Sequence, residues 1–320
     1  MKSLPSISSQ IDEKIINKVI QKKFALLSSY FFYFMSNWLI RAYKRYNDID
    51  KFLIIIYLIH KNLIFYRKNA LIIDYESFYK ERTLEIEKIN ISDISHDLKI
   101  PKESVRRKVL DLEKKGSIKK IGKKIFVDKS TFVNAKATDT LKDLSILLNE
   151  FNKLLKEEKI TDSVFQLDEI INSIKENFSF CLYQLNKFIF VYLNRWRQEM
   201  KDLETLTVAI LVVLNATENK NFKPSKLSIK SYREEIMGSD TKGVNAMSIS
   251  DITGIPRPTV VRKIKWLIDE NFLIMNNKKL ISFNAKGSTF KKTKNIQDKN
   301  MLSFSNFIYR LFNQIKVINS

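Results

Sequence analysis

The segment SISDITGIPRPTVVRKIKWL, at residues 248–267, determines how the rest of this sequence is interpreted. Gly254 favours a turn after one short helix, and Pro256 is a residue type that commonly opens the next. Apolar residues in this second helix recur at spacings of four and three, namely Val260, Ile264 and Leu267. That spacing places them on one buried face and leaves basic residues on the other. The segment therefore predicts a helix–turn–helix with an exposed basic face.

The same pattern occurs earlier in the chain. Residues 100–109, IPKESVRRKV, match residues 255–264, IPRPTVVRKI, at an offset of 155. Further matches keep the same order along the sequence, with offsets from 154 to 158. An ordered series of this kind indicates an internal repeat. We therefore expect two units of a usual domain size, 1–160 and 161–320.

The earlier helix–turn–helix differs at its turn. ISDISHDL, residues 91–98, is the expected first helix, and Lys99 stands where the second unit has Gly254. Because glycine adopts a left-handed turn conformation more easily than lysine does, the sequence favours this turn more strongly in the second unit than in the first. The expected N-caps are Ser92 or Asp93 in the first unit and Ser248 in the second.

A β-hairpin is predicted after each second helix. In the first unit, strands 117–121 and 124–127 flank Gly122 and Lys123; in the second, strands 272–275 and 278–283 flank Asn276 and Asn277. Gly122 and Asn277 are residue types that tolerate the positive φ of a tight turn. Helix–turn–helix and hairpin together form a winged helix–turn–helix.

The whole chain then has the same predicted order of elements twice. A helical N-terminal part precedes a winged helix–turn–helix, at about 48–130 and 202–285, and a closing helix follows at about 139–157 and 301–317. Polar insertions at 61–89 and 215–246 interrupt the winged regions, and the Lys-rich tract 286–299 is typical of a solvated linker. The expected fold class is mainly α with small β-hairpin wings, the two units forming a pseudo-dimer.

Positive charge is concentrated in these regions. The chain has 56 Lys+Arg and 35 Asp+Glu, a formal net charge of +21. Residues 99–129 carry a net +8 of the +12 of the first unit, and residues 254–286 carry +5 of the +9 of the second. Such clustering is typical of a nucleic-acid-binding surface.

Twelve residues are candidates for DNA contact. On the second helices these are Lys102, Ser104, Arg106, Arg107, Arg257, Thr259, Arg262 and Lys265. On the wings they are Lys123, Lys124, Lys278 and Lys279. A helix of this size fits the major groove, where arginine pairs with guanine in a bidentate manner, whereas wing lysines are suited to phosphates.

Other classes of function have little support in the sequence. One cysteine and two histidines argue against disulfides and metal centres, and no catalytic or phosphate-binding motif is present, so we expect neither enzymatic activity nor a cofactor. Residues 24–40 contain no charge, but their counterpart 178–194 includes Lys187, which makes a membrane span costly. We therefore expect no membrane association.

Residues 248–267 resemble bacterial winged-helix transcription regulators, particularly the MarR-like group. The likeness covers about 40 residues in each unit, and the insertions depart from the usual pattern of that group. Members act as dimers whose first and last helices form the interface. The resemblance thus implies a sequence-specific binder of double-stranded DNA, here a monomer acting as a pseudo-dimer, located in the cytoplasm with the nucleoid.

Three alternatives remain open at this point. A plasmid- or phage-type replication initiator also uses tandem winged helices, and a winged helix can instead serve as a protein-interaction adaptor.

The aromatic run from Tyr30 to Phe34 could line a pocket for a small-molecule effector, or it could form core and inter-unit contacts. The unlike recognition helices predict an imperfect palindrome or two unlike half-sites.

Overall fold

The computed structural model describes residues 10–86, 90–122, 124–130, 137–218, 232, 236, 243–284 and 288–319. Within these residues the chain is mainly helical with two small antiparallel sheets, which confirms the expected mainly α class. The helices are α1 Glu13–Tyr46, α2 Ile49–Lys68, α3 Tyr75–Lys80, α4 Ile91–Leu98, α5 Lys102–Lys114, α6 Ala137–Glu157, α7 Leu167–Glu176, α8 Phe178–Arg197, α9 Leu203–Thr217, α10 Ala246–Thr253, α11 Arg257–Asp269 and α12 Ser288–Asn319. The strands are β1 Thr83–Ile86, β2 Ile118–Ile121, β3 Lys124–Asp128, β4 Leu273–Met275 and β5 Ile281–Phe283.

Two long helical regions form the centre of the molecule. Helix α1 runs unbroken for 34 residues, whereas the corresponding region of the second half is divided at Asn177 into α7 and α8. Helix α1 packs on α6, α2, α9 and α12, and α8 packs on α12, α2 and α9. Each central helix therefore contacts both halves of the chain.

Phe31 and Phe34 of the aromatic run of α1 lie in this core, whereas Tyr33 is exposed. The Phe31 ring lies 4.7 Å from that of Phe304 and 6.0 Å from that of Tyr192, measured between centroids, so it joins α1 to α12 and α8. Phe31 and Phe32 also line an apolar cavity of about 120 Å³ beside Tyr192 and Phe272. Among the described residues, no helix is both long and apolar enough to cross a membrane.

The first polar insertion proved to be largely regular structure. Helix α2 continues to Lys68, and α3 and β1 occupy much of the remainder. Strand β1 pairs antiparallel with β3, with Leu84 opposite Val127, and β2 pairs with the other edge of β3. Alternate residues Leu84 and Ile86 are buried, which explains why this short polar-looking segment forms a strand.

The second half has a reduced version of this sheet. Strands β4 and β5 pair antiparallel, with Leu273 opposite Phe283, and Val244 forms a single bridge to Ile281 on the other edge of β5. Most of the insertion 215–246 lies outside the described residues.

The Lys-rich tract was wrongly predicted to be a linker. Helix α12 begins at Ser288 and continues to Asn319, so it includes most of that tract. Thr293 and Asn300 are buried, whereas Lys294 and Lys299 are exposed. Because residues seven apart share a helix face, a polar segment of this kind can pack along one side and leave its lysines in solvent.

Candidate nucleic-acid interface

The two helix–turn–helix segments have the same backbone geometry. Lys99 adopts a left-handed conformation with φ 55°, and Gly254, at the equivalent position, has φ 74°. In each segment, a serine near the end of the first helix forms a hydrogen bond across the turn. Ser95 Oγ donates to the carbonyl of Ile100, and Ser250 Oγ donates to the carbonyl of Ile255, both at 2.7 Å. The missing glycine therefore does not change the turn, although a left-handed lysine costs about 1–2 kcal/mol.

The N-caps differ from those predicted. Helix α4 follows Asn90, and the Asp93 carboxylate accepts from the Asn90 backbone N–H at 3.4 Å. Helix α10 follows Asn245, whose Oδ1 accepts from the backbone N–H of Ser248 at 2.9 Å. Ser92, Asp93 and Ser248 thus lie inside the first turn, because an asparagine just upstream satisfies the free N–H groups first.

One lysine of each second helix points inward. Lys263 Nζ contacts both oxygens of Asp202, at 2.6 and 2.7 Å, and Lys108 Nζ contacts Asp48 and Asp50. Asp48 and Asp202 are also the N-caps of α2 and α9, so each pair connects a second helix to the helix beneath it.

The electrostatics of Asp202 reflect this pairing. Burial raises the pKa of the carboxyl, but hydrogen bonds from Lys263 and Thr205 outweigh burial and hold the pKa below its ordinary value. Glu204, two residues along the chain, accepts from the backbone N–H of Ile49, and burial followed by the charge of Asp202 raises its pKa. The inward lysines therefore act as anchors and are not available for DNA.

The outward positions of α5 and α11 correspond one to one. We call the exposed residues of α5 the first face; they are Lys102, Glu103, Arg106, Arg107, Leu110 and Lys114. We call those of α11 the second face; they are Arg257, Pro258, Val261, Arg262, Lys265 and Asp269. Each position of one face lies 155 residues from its counterpart on the other, and both faces are basic.

Six of the predicted helix residues lie on these faces: Lys102, Arg106, Arg107, Arg257, Arg262 and Lys265. Ser104 and Thr259 are half-buried in the first turns. Arg106 lies 3.4 Å from Glu103 in an exposed pair one turn apart, which is a weak interaction that leaves the guanidinium accessible.

The first wing has the predicted tight turn. Gly122 has φ 59° between β2 and β3. Lys124 is exposed but lies 2.5 Å from Glu85 of β1, so part of its charge is neutralised. Lys123 lies outside the described residues. Sequence reasoning missed Lys119 and Lys120, which are exposed on β2; Lys120 lies 3.6 Å from Glu113.

The second wing has a longer loop than predicted. Strand β4 ends at Met275 and β5 begins at Ile281, so Lys278 and Lys279 lie in the loop, exposed. The Asn276 side chain accepts from the backbone N–H groups of Lys278 and Leu280, which fixes the conformation of the loop. Consequently Lys279, with φ 58°, takes the left-handed position expected of Asn277.

Comparison with protein-family models, with curated proteins and with solved structures found no match. Within the described part of the chain, no group of His, Cys, Asp or Glu is arranged to hold a metal ion. Cys181 is buried, and burial raises the pKa of its thiol to about 12. The two basic faces with their wings are therefore the strongest candidate site.

Proposed function

We propose that this chain is a sequence-specific double-stranded DNA-binding protein, acting as a bacterial-type transcriptional regulator with two winged helix–turn–helix units in one polypeptide. One observation carries the proposal: two helix–turn–helix segments with the same turn geometry each leave a basic face exposed on the second helix. A helix of 13 residues fits a major groove, and the exposed arginines have the geometry to read guanine.

The packing of the long helices supports a pseudo-dimeric arrangement. Helix α1 of the first unit packs on α9 of the second, and α8 of the second packs on α2 of the first. These reciprocal contacts are those expected when two similar units are related by an approximate twofold axis. Helices α5 and α11 would then enter successive major grooves, about 34–36 Å apart.

DNA selection from a random library, followed by footprinting with the full-length protein, tests the proposal. We expect protection of two unlike half-sites separated by about one helical turn. Arg107→Ala should relax base preference in one half-site and Arg262→Ala in the other, each at a cost of about 1–3 kcal/mol.

Arg310→Ala is the matched control, because Arg310 is an exposed arginine on α12 outside both faces. It should leave the footprint unchanged. Protection of a single half-site by the intact chain would contradict the proposal, as would an equal loss of affinity for specific and random DNA in Arg262→Ala.

A second candidate function assigns assembly to one unit, as in a replication initiator or an interaction adaptor. One observation favours it: the second unit exposes apolar side chains where the first has polar ones. The exposed residues are Met247, Ile252, Ile274 and Met275. The equivalent positions of the first unit hold Ser92, Asp97, Lys119 and Lys120. Binding to directly repeated sites with concentration-dependent self-association, measured by sedimentation on origin-like DNA, would favour this role.

A further inference from the structure

Two arginines, 154 residues apart, occupy matching places on the central helices but have different partners. Arg41 on α1 donates from Nη2 to Asp143 Oδ2 of α6 at 2.7 Å, and Asn37 donates to the same oxygen at 3.1 Å. Arg195 on α8 donates from Nη1 to Asn300 Oδ1 of α12 at 3.0 Å. Asn300 therefore stands where the first unit has a carboxylate.

The remaining partners of Arg195 are also neutral. Its Nη1 donates to the Lys299 carbonyl and to Ser303 Oγ, both at 2.8 Å. Among the described residues, none of the carboxylates forms an ion pair with Arg195, and partial burial lowers the pKa of its guanidinium. These neutral acceptors leave the positive charge of the half-buried guanidinium uncompensated, so it can attract an anion from solvent.

Arg195 lines a groove of about 260 Å³ between α8 and α12. Lys187 and Lys299 add two exposed ammonium groups to this groove. Gln184 also lines it, and this side chain is 5% exposed. The apolar residues of the lining are Phe188, Val191, Leu302 and Phe307.

We infer that this groove binds a small organic carboxylate with an apolar body. A guanidinium matches a carboxylate in a planar, charge-assisted arrangement, and Gln184 offers a further buried polar partner. Leu302, which lines the groove and is 54% exposed, provides an apolar surface for the remainder of the molecule, and the buried rings of Phe188 and Phe307 lie beside it. The site does not depend on DNA binding, because its residues lie on α8 and α12 and not on the two basic faces.

Calorimetric titration of the full-length protein with octanoate tests the inference. Octanoate should bind with one site per chain, about tenfold or more tightly than octanol, which lacks the charge, and than acetate or inorganic phosphate, which lack the apolar body. Equal affinity for octanol and octanoate, or tighter binding of phosphate, would overturn the assignment, as would no octanoate binding at all.

Asn300→Asp supplies the carboxylate that the first unit already has. It should reduce octanoate affinity about tenfold or more while the thermal transition stays at least as high as in the wild type. Asn69→Asp, which adds the same charge outside the groove, is the control and should bind as the wild type does. Wild-type affinity in Asn300→Asp would refute the role of Arg195.

Asp143→Asn makes the reverse change in the first unit, and it serves as the test if Asn300→Asp fails to fold. It removes the carboxylate from Arg41 and should add a second, weaker octanoate site. An unchanged single site in a folded Asp143→Asn protein would show that the missing counter-charge is not what creates the site.

Discussion

The first and second faces share a backbone but differ in chemistry at four of six equivalent positions. At these four positions Glu103 corresponds to Pro258, Arg106 to Val261, Leu110 to Lys265 and Lys114 to Asp269. Only the Lys102/Arg257 and Arg107/Arg262 positions keep a positive charge on both. The buried positions Val105, Val109 and Leu112 correspond to Val260, Ile264 and Leu267 and stay apolar because they form the core, whereas most of the exposed positions differ. Under the proposed function, Arg107 and Arg262 would make the same kind of base contact in both half-sites, and the four differing positions would make the half-sites unlike.

The wings differ in a similar way. The first wing is part of a three-stranded sheet, and its Lys124 is paired with Glu85. The second wing has two strands and one bridge, and its loop extends Lys278 and Lys279 into solvent. Lys278 and Lys279 are therefore more accessible to a phosphate group than Lys124 is.

The largest expected effect is on the free energy of unfolding, and it comes from replacing Lys263, the inward lysine of α11. Lys263→Met leaves the Asp202 carboxylate without its cation and should lower the free energy of unfolding by about 3 kcal/mol, at the low end for a buried pair because Asp202 is partly exposed. Lys265→Met, two residues away on the second face, should leave stability unchanged and reduce DNA affinity. Urea denaturation and DNA titration of both variants provide the two measurements.

This effect should also depend on pH. The folded-state pKa of Asp202 is lowered, so its contribution is present above the ordinary pKa of about 3.9 and is lost as pH falls through the lowered value. The stability gap between wild type and Lys263→Met should therefore shrink in acid. A gap that grows below pH about 4 would contradict the assigned pairing.

The next effect concerns the contrast between Arg106 and Val261. Exchanging the two residues, as Arg106→Val with Val261→Arg, should exchange the preference of the two half-sites at the one base pair that this position contacts, by about 1–3 kcal/mol. Selection of bound sequences with the double variant measures the exchange. Lys102→Arg, which keeps the charge, is the control, and an unchanged consensus in the double variant would show that these two residues do not read bases.

The smallest effect separates the two wings. Lys278→Ala should weaken binding to all sequences alike and reduce the salt dependence of the affinity by about one counterion, because a phosphate contact carries no sequence information. Lys124→Ala should have a smaller effect, since Glu85 already neutralises part of its charge. Affinity measured against salt concentration decides this, and equal slopes for the two variants would remove the distinction between the wings.

Much of the local structure followed from spacing alone. The starts of α5 and α11 after Pro101 and Pro256, and the buried positions Val105, Val109 and Leu112, follow from a 3.6-residue period and from the fixed φ of proline. The inward direction of Lys263 also had a signal, because it follows the buried Val260 by three residues. In a basic helix, however, this signal is obscured by the other lysines.

The sequence by itself determined the order of the helices, the two hairpins and the concentration of charge, because each of these depends on residues close together in the chain. Only the tertiary structure decided that β1 completes the first sheet, that Asp202 neutralises Lys263, and that Arg195 meets Asn300 where Arg41 meets Asp143. These partners are 39 to 105 residues apart in sequence. No local period specifies such pairs, because packing of the long helices and closing of the sheet bring them together.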